Sequence, residues 1–321
     1  MDVRHLDLLR ELATRGTLAA VAEATHRTPS ALSQQLRTAE REFGVRLVER
    51  EGRGLRLTAE GRLLAEGAEE VNAALATVRA RLDAARGEVG GPVSIGCFPS
   101  AGAALLPELV LRFEGTGVEL NLDDFDLMEA EYAGRTLDHD IVIAHSLSGE
   151  GPAGAERLVR RVLAREPIDV ALPAAHPLAA RAALRPQDLR GTVWVGVPAG
   201  YPFDHLLIAI ETAAGERFPR RFRLRDNRLI AALVGREVGL ALLPRFTTPH
   251  LDGVVLRPLT GLPARRSIVA LCRPDRHARP SVRAIVEALV AIGARLSDDI
   301  VGPDRYGGAR QEEPHDPRTR P

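Results

Sequence analysis

The chain has 321 residues, of which 45% are hydrophobic and 27% are charged, and its 43 basic residues balance its 43 acidic ones. This length predicts two or three compact domains. Zero net charge excludes a protein that coats nucleic acid through bulk electrostatic attraction, but it leaves room for a local basic patch. All of the basic residues are arginine, which we attribute to a GC-rich genome.

Cysteine usage and the N-terminus predict a cytoplasmic protein. The only cysteines, Cys97 and Cys272, are too few and too far apart for a disulfide framework, which indicates a reducing compartment. The N-terminus has no apolar signal region, and no run reaches the roughly 18 apolar residues that span a bilayer. We therefore expect cytoplasmic localisation and no membrane partner.

The first 43 residues predict three helices in a helix-turn-helix arrangement. Residues 3–15 form the first, Gly16 ends it, and the second covers 18–26. The third begins with Thr28 as N-cap and Pro29 at the first helical position. Its apolar residues recur at steps of 4, 3 and 4, which is one buried face.

A short hairpin is predicted directly behind the third helix. Residues 45–51 and 55–58 read as two strands separated by Gly52-Arg53-Gly54. A helix-turn-helix followed by such a wing is typical of DNA-binding domains, whereas the helical pattern alone also fits other helical corners.

A long helix is predicted from Thr58 to about residue 86. Its apolar positions alternate steps of 4 and 3, which is a heptad pattern. We interpret it as a dimerising coiled coil; the alternative is a helix that lies on its own domain. The residues predicted to form the dimer seam are Leu64, Val71, Leu75, Val78 and Leu82.

Beyond a hinge-like segment at 87–92, strands alternate with helices. This alternation predicts an α/β fold with mainly parallel sheets covered by helices. Strands are expected at 93–98, 118–125, 140–145, 167–173, 192–197, 221–226, 240–244 and 267–272, with helices at 99–115, 203–215, 228–239 and 280–296. Residues 297–321 are poor in apolar side chains and predict a disordered tail.

The stretch from His5 to Gly61 resembles, from end to end, the winged helix-turn-helix of LysR-type transcriptional regulators. The phrases PIDVALPAAHPLA and LIAALVGREVGLALLPR resemble the family's effector module more loosely. The resemblance implies an N-terminal DNA-binding domain (1–58), a dimerising linker helix (59–88) and a two-lobed, periplasmic-binding-protein-like module (91–296). Lobe I would comprise 91–163 plus 268–296, and lobe II 164–267. Dimers or tetramers are implied, and RNA polymerase would be a partner if the protein activates transcription.

The polar face of the third helix is suited to double-stranded DNA. Short hydroxyls let a helix settle into the major groove, a glutamine amide can pair with adenine, and arginine can reach guanine or phosphate. The predicted contacts are Thr28, Pro29, Ser30, Ser33, Gln34, Arg37 and, at the wing, Arg53; Gln35, Arg4 and Arg50 are secondary candidates. The family often has Gln before Pro at this helix start, so the resemblance does not transfer a DNA sequence preference.

A small anionic effector is expected to bind between the lobes. A helix begins after strand 93–98, and its unpaired N–H groups beside Ser100 suit a carboxylate; a plain N-cap is the alternative for that serine. By analogy with the family, further effector contacts are expected around it and after later strands. The predicted ligand-binding residues are Phe98, Ser100, Ala101, His145, Ser146, Val197 and Asn227.

Other functions are less well supported by the sequence. It lacks the common nucleotide, zinc-protease and serine-hydrolase motifs, and its nine histidines are scattered, so we predict no enzyme activity, metal or cofactor. Cys97 borders the predicted effector site, yet a buried cysteine usually serves as a small apolar residue rather than a redox sensor. A solute-binding protein would leave the winged helix unexplained, and a structural DNA binder would leave the α/β module without a role.

Overall fold

The computed structural model describes residues 2–52, 54–85, 90–147, 149 and 151–298. It divides into two compact units, residues 1–164 with 266–293 and residues 165–265 with those from 294 onward. The helices are α1 (Val3–Arg15), α2 (Leu18–Ala24), α3 (Pro29–Phe43), α4 (Ala59–Ala85), α5 (Pro99–Phe113), α6 (Tyr132–Arg135), α7 (Pro202–Ala214), α8 (Asn227–Val234), α9 (Pro274–His277) and α10 (Pro280–Asp298). The strands are β1 (Val48–Glu51), β2 (Gly54–Leu57), β3 (Gly91–Cys97), β4 (Val118–Asp124), β5 (Ile141–Ser146), β6 (Val159–Pro173), β7 (Trp194–Gly196), β8 (Arg220–Arg223), β9 (Ala241–Pro244), β10 (Val254–Arg257) and β11 (Arg265–Cys272).

The first unit begins with the predicted winged helix-turn-helix. The Thr17 hydroxyl caps α2 by accepting from the Ala20 amide at 3.1 Å, and Gly16 ends α1 with a φ of 71° that other residues rarely adopt. One apolar core joins the three helices and the hairpin, and it includes Leu9, Leu12, Val21, Leu32, Leu36, Ala39, Leu47 and Leu57. Leu32, Leu36 and Ala39 confirm the buried face predicted for the third helix, with Phe43 packed against the core.

The wing is a two-stranded antiparallel hairpin in which Val48 pairs with Leu57 and Glu51 with Gly54. The first strand begins at Val48 rather than at residue 45, because Leu47 is fully buried in the helical core and its amide donates to the Glu40 carboxylate at 3.0 Å. Arg53, predicted at the wing tip, lies outside the described residues.

Helix α4 begins as predicted, with the Thr58 hydroxyl accepting from the Gly61 amide at 3.0 Å. Its first turns pack on the winged domain, where Ala65 and Ala68 are buried, and Asn72 donates to the Asp7 carboxylate of α1 at 2.7 Å. The helix therefore uses its early apolar residues against its own domain and presents the later ones to solvent.

The prediction of mainly parallel sheets was wrong. In the first unit, strand β3 pairs in parallel with β4 and β5, but β11 pairs with β5 in the antiparallel direction. In the second unit, β6 pairs antiparallel with both β9 and β10, while β7 and β8 are parallel. The chain leaves the first unit through β6 and returns to it through β11. Strand β11 therefore reaches β5 after a passage through the second unit, and not through the helical crossover that makes neighbouring strands parallel.

Several element boundaries differ from the sequence expectations. Strand β6 begins at Val159 instead of 167, α8 ends at Val234 instead of 239, and β10 was not predicted. Residues 87–89 of the predicted hinge lie outside the described residues, and Gly91 already belongs to β3. Helix α10 continues to Asp298, and the rest of the predicted tail lies outside the described part of the chain.

None of the helices within the described ranges is long and apolar enough to cross a membrane. Those same ranges contain no group of three or more His, Cys, Asp or Glu residues that could hold a metal ion.

Candidate nucleic-acid interface and ligand site

The polar face of α3 is open to solvent over its first turns. Thr28 is the N-cap, and its hydroxyl accepts from the Ala31 amide at 3.3 Å and lies 3.1 Å from the Ser30 hydroxyl. Pro29 occupies the first helical position, where a missing N–H costs nothing. The predicted contact residues Ser30, Gln34 and Arg37 are exposed, and Ser33 is half-buried.

Gln34 and Arg37 act together on this face. The Arg37 guanidinium donates to the Gln34 side-chain oxygen at 2.8 Å, so the amide group points its NH2 away from the arginine. Both residues line a shallow groove of about 650 Å³ that continues along α3 to the loop before the wing. This arrangement presents amide and guanidinium N–H donors side by side on the open face of α3.

The secondary candidates are less available than the main ones. Gln35 donates to the Arg4 carbonyl of α1 at 2.5 Å, which turns it away from the open face. Arg4 pairs with Asp2, and the hydrogen bonds from Arg4 lower the pKa of that carboxyl to about 2. Arg50 of β1 is exposed.

The predicted ligand site centres on the start of α5. The N-cap is Phe98, which has no side-chain cap, and Ser100 stands at the second helical position. The plain N-cap alternative for Ser100 was therefore wrong, because the serine hydroxyl instead lies 3.2 Å from the Arg266 guanidinium and accepts from it. The first N–H groups of a helix lack intrahelical partners. Two kinds of donor, the backbone N–H groups of α5 and the Arg266 guanidinium, therefore lie near this hydroxyl.

Arg266 is the residue that sequence reasoning missed here. It is 3% exposed and its guanidinium lies 4.9 Å from the centre of the Phe98 ring. In the sequence it is one of two arginines before an apolar strand, and nothing there distinguishes it from a solvent-exposed strand end. The Arg266 guanidinium therefore places a buried positive charge beside the Ser100 hydroxyl.

His145 packs against the buried rings of Phe98 and Tyr132, whose centres lie 5.0 and 5.3 Å from the centre of the imidazole. Burial, and secondly the Arg266 charge, lower the pKa of His145 to about 3. The imidazole is therefore neutral at physiological pH, and its Nδ1 has no hydrogen-bond partner among the described residues. A polar atom in that state can take a bond from a ligand.

The remaining predicted ligand residues are placed less favourably. Ala101 is fully buried, and the Ser146 hydroxyl donates to the Glu129 carboxylate at 2.5 Å. Val197 and Asn227 belong to the second unit, where Val197 is 8% exposed and Asn227 is the first residue of α8. Neither has a described contact that favours ligand binding.

The residues predicted to pair α4 with a partner helix divide into two groups. Leu64 packs against the apolar core of the winged domain, and Val71 is half-buried. Leu75, Val78 and Leu82 are 44%, 63% and 50% exposed. The second half of the helix therefore carries an uncovered apolar stripe at steps of 3 and 4.

Comparison with known protein families assigns both parts of the chain. A sequence model described as LysR substrate binding domain matches residues 86–293. A model described as bacterial regulatory helix-turn-helix protein, lysR family, matches residues 3–62.

Individual relatives extend over nearly the whole chain. The DNA-binding transcriptional dual regulator OxyR of Escherichia coli K12 is 27% identical, covering 91% of this chain and 95% of its own. The HTH-type transcriptional regulator CbbR of Sinorhizobium medicae is 28% identical, covering 92% and 94%. A structure of a full-length OxyR variant from Pseudomonas aeruginosa has the same fold, with a TM-score of 0.64 at 21% identity, covering 91% of this chain and 94% of that one.

Proposed function

Because the chain belongs to the LysR family of transcriptional regulators, we propose that α3 reads base pairs in the major groove through Gln34 and Arg37. The protein is a DNA-binding transcriptional regulator with an effector-binding domain, and it is not an enzyme. The observation that supports the proposed contacts is the open polar face of α3, on which the two side chains are bonded to each other at 2.8 Å. Thr28, Pro29, Ser30 and Ser33 would fit the same groove, and Arg53 would contact DNA from the wing.

We expect Gln34→Ala to weaken specific DNA binding by about 1–3 kcal/mol, the discrimination that a bidentate amide contact provides. The measurement is a binding titration against the DNA upstream of the protein's own gene and against a scrambled duplex, at physiological salt. Gln35→Ala is the matched control, because Gln35 bonds to the Arg4 carbonyl and not to the open face. Equal losses of Gln34→Ala on both duplexes would mean that Gln34 only holds phosphate.

The same titration tests the alternative of a structural DNA binder. A specific regulator should prefer its operator over scrambled DNA by about a thousandfold or more. Equal and steeply salt-dependent binding to every duplex tested would contradict regulation by sequence recognition. We propose that the protein acts in the cytoplasm and that it contacts RNA polymerase if its outcome is activation.

For the effector-binding domain we propose a small carboxylate as ligand, held at the start of α5. Arg266 supplies a buried positive charge, and the Ser100 hydroxyl lies 3.2 Å from its guanidinium. The neutral, unbonded Nδ1 of His145 supports the proposal, because a hydroxyl group on the ligand could donate to it. The positive end of the α5 dipole favours the same charge sign.

We expect small carboxylates to raise the unfolding temperature, while the corresponding neutral amides leave it unchanged. Ser100→Ala should weaken carboxylate binding about tenfold to a hundredfold, as loss of one hydrogen bond to a charged group predicts. Ser33→Ala removes the same hydroxyl from α3 and serves as the control. Equal stabilisation by acids and amides, or an unaltered affinity of Ser100→Ala, would contradict the proposed site.

Peroxide sensing is a second candidate, because some relatives are described as hydrogen peroxide-inducible genes activators. The geometry favours it less. Cys97 and Cys272 are both 1% exposed, and burial raises the pKa of their thiols to about 11 and about 12. Reactive cysteines need an accessible thiolate, so neither thiol suits reaction with peroxide.

We also propose that α4 forms the dimer interface by pairing with α4 of a second copy. The exposed stripe of Leu75, Val78 and Leu82 supports this, since three apolar side chains at heptad spacing form one seam of a coiled coil. Two copies would present two α3 helices to a pseudo-palindromic site.

A further inference from the structure

A second polar cavity lies within the first unit, where the winged domain, the long helix α4 and helix α9 meet. Its volume is about 550 Å³. Its polar wall consists of Asp7, Asn72, Arg79, Asp275, Arg276 and Arg279. It shares no residue with the Ser100 site, and its apolar lining includes Leu75 at the edge of the exposed stripe on α4.

The arginines of this cavity outnumber the carboxylates that are free to neutralise them. Asp7 is bonded to Asn72 at 2.7 Å and lies 3.5 Å from Arg10, which is outside the cavity wall. Asp275 is likewise held by Arg273, whose Nε donates to it at 3.0 Å. Asp7 and Asp275 therefore each have an arginine partner outside the wall, and Asp275 also attracts Arg276 of the wall.

Asp140, outside the wall, lies beside two of the three cavity arginines. A single oxygen of Asp140 accepts from Arg279 at 3.0 Å and lies 3.3 Å from Arg276. Arg79 makes no hydrogen bond or ion pair within the described part of the chain, and its side chain is exposed. With their partners counted, the arginines around the cavity (Arg10, Arg79, Arg273, Arg276 and Arg279) still outnumber the carboxylates (Asp7, Glu11, Asp140 and Asp275), so an anion can bind beside Arg79.

The free donors suit a phosphate group. A guanidinium has five N–H donors, and Asp140 and the Pro92 carbonyl use only some of those on Arg276 and Arg279. Planar guanidinium groups bind phosphate oxygens in pairs, so three of them around one cavity match a phosphate dianion. We propose that this cavity binds a small molecule that carries a phosphate group.

Such a ligand would connect the DNA-binding domain to the rest of the unit. Asp7 lies on α1, Arg79 on α4, and Arg276 on α9. The unit already holds α1 in place through the Arg15 guanidinium, which donates to Asp138 at 2.7 Å. A phosphate group between the arginines would connect α9 to α4, the helix that is bonded to α1 through Asn72 and Asp7.

The test uses full-length protein in chloride buffer, with inorganic phosphate and glycerol 3-phosphate as probes in separate calorimetric titrations. We expect saturable binding of at least one probe, and about a tenfold or greater loss of affinity in the Arg79→Ala and Arg276→Ala variants. Arg81→Ala is the matched control, because Arg81 is an exposed arginine of the same helix outside the cavity wall. Ser100→Ala should bind phosphate normally, which separates this site from the proposed carboxylate site.

The relative affinities of the two probes identify the ligand. Tighter binding of glycerol 3-phosphate would assign an organic phosphate as ligand, and equal binding would assign free phosphate. Arg79→Ala removes an exposed, unpaired side chain, so its unfolding temperature without phosphate should equal that of the unaltered protein. Absence of binding, or equal losses in Arg79→Ala and Arg81→Ala, would overturn the proposal.

Discussion

Replacing Gly61 with alanine should destabilise the winged domain by about 3 kcal/mol, at the upper end of the usual cost of overpacking. A Cβ at this position would lie 2.1 Å from the Leu47 carbonyl oxygen and 3.3 Å from the Leu57 Cβ. The Leu47 oxygen cannot move freely, because it accepts from the Thr58 amide at 3.0 Å. The start of α4 or the segment leading into the wing must therefore shift, and DNA affinity should fall with stability.

Gly67→Ala provides the control, because it makes the same change in the same helix where nothing lies within 4 Å of the added Cβ. Alanine there should raise stability by about 0.5–1 kcal/mol through its higher helix propensity. Thermal unfolding followed by circular dichroism measures both variants. If Gly61→Ala is as stable as the unaltered protein, the result would contradict the close approach of α4 to the Leu47 carbonyl.

The winged domain was predictable from the sequence because its signals are local. Thr17, Thr28 and Gly16 are capping residues, and the apolar positions of α1 and α3 repeat at helical spacing. The α/β module was predicted less well, since its strand directions depend on connections between distant parts of the chain. Strand β11 pairs antiparallel with β5 although more than a hundred residues separate them.

The candidate sites also differ in how far the sequence predicts them. The exposed polar residues of α3 follow from the periodicity of one helix, so Gln34 and Arg37 could be selected from the sequence. Arg266 could not, because its burial results from packing between β11 and α5, which are far apart in the chain. The arginine cavity was likewise unpredictable, since Arg79 and Arg276 come together only in the folded unit.

A charge in the exposed stripe of α4 should abolish dimerisation and, with it, most operator affinity. Val78 is 63% exposed and lies between Leu75 and Leu82 at heptad spacing. In a helix pair, Val78→Glu would bury one unpaired carboxylate from each copy, and burial of an unpaired charge is costly. We expect a monomer in sedimentation velocity and a loss of operator affinity of about a hundredfold or more, because a monomer contacts only one half-site.

Thr77→Glu is the matched control for the dimer. Thr77 is exposed on the same turn of α4 but is not part of the apolar stripe, and its hydroxyl donates to the Ala73 carbonyl of its own helix. The added charge is the same in both variants, so general repulsion from DNA should affect them equally. A dimeric Val78→Glu variant would contradict pairing through α4, whereas two monomeric variants would mean that total charge, rather than the seam, controls assembly. A monomeric Val78→Glu beside a dimeric Thr77→Glu would locate the dimer contact on the face formed by Leu75, Val78 and Leu82.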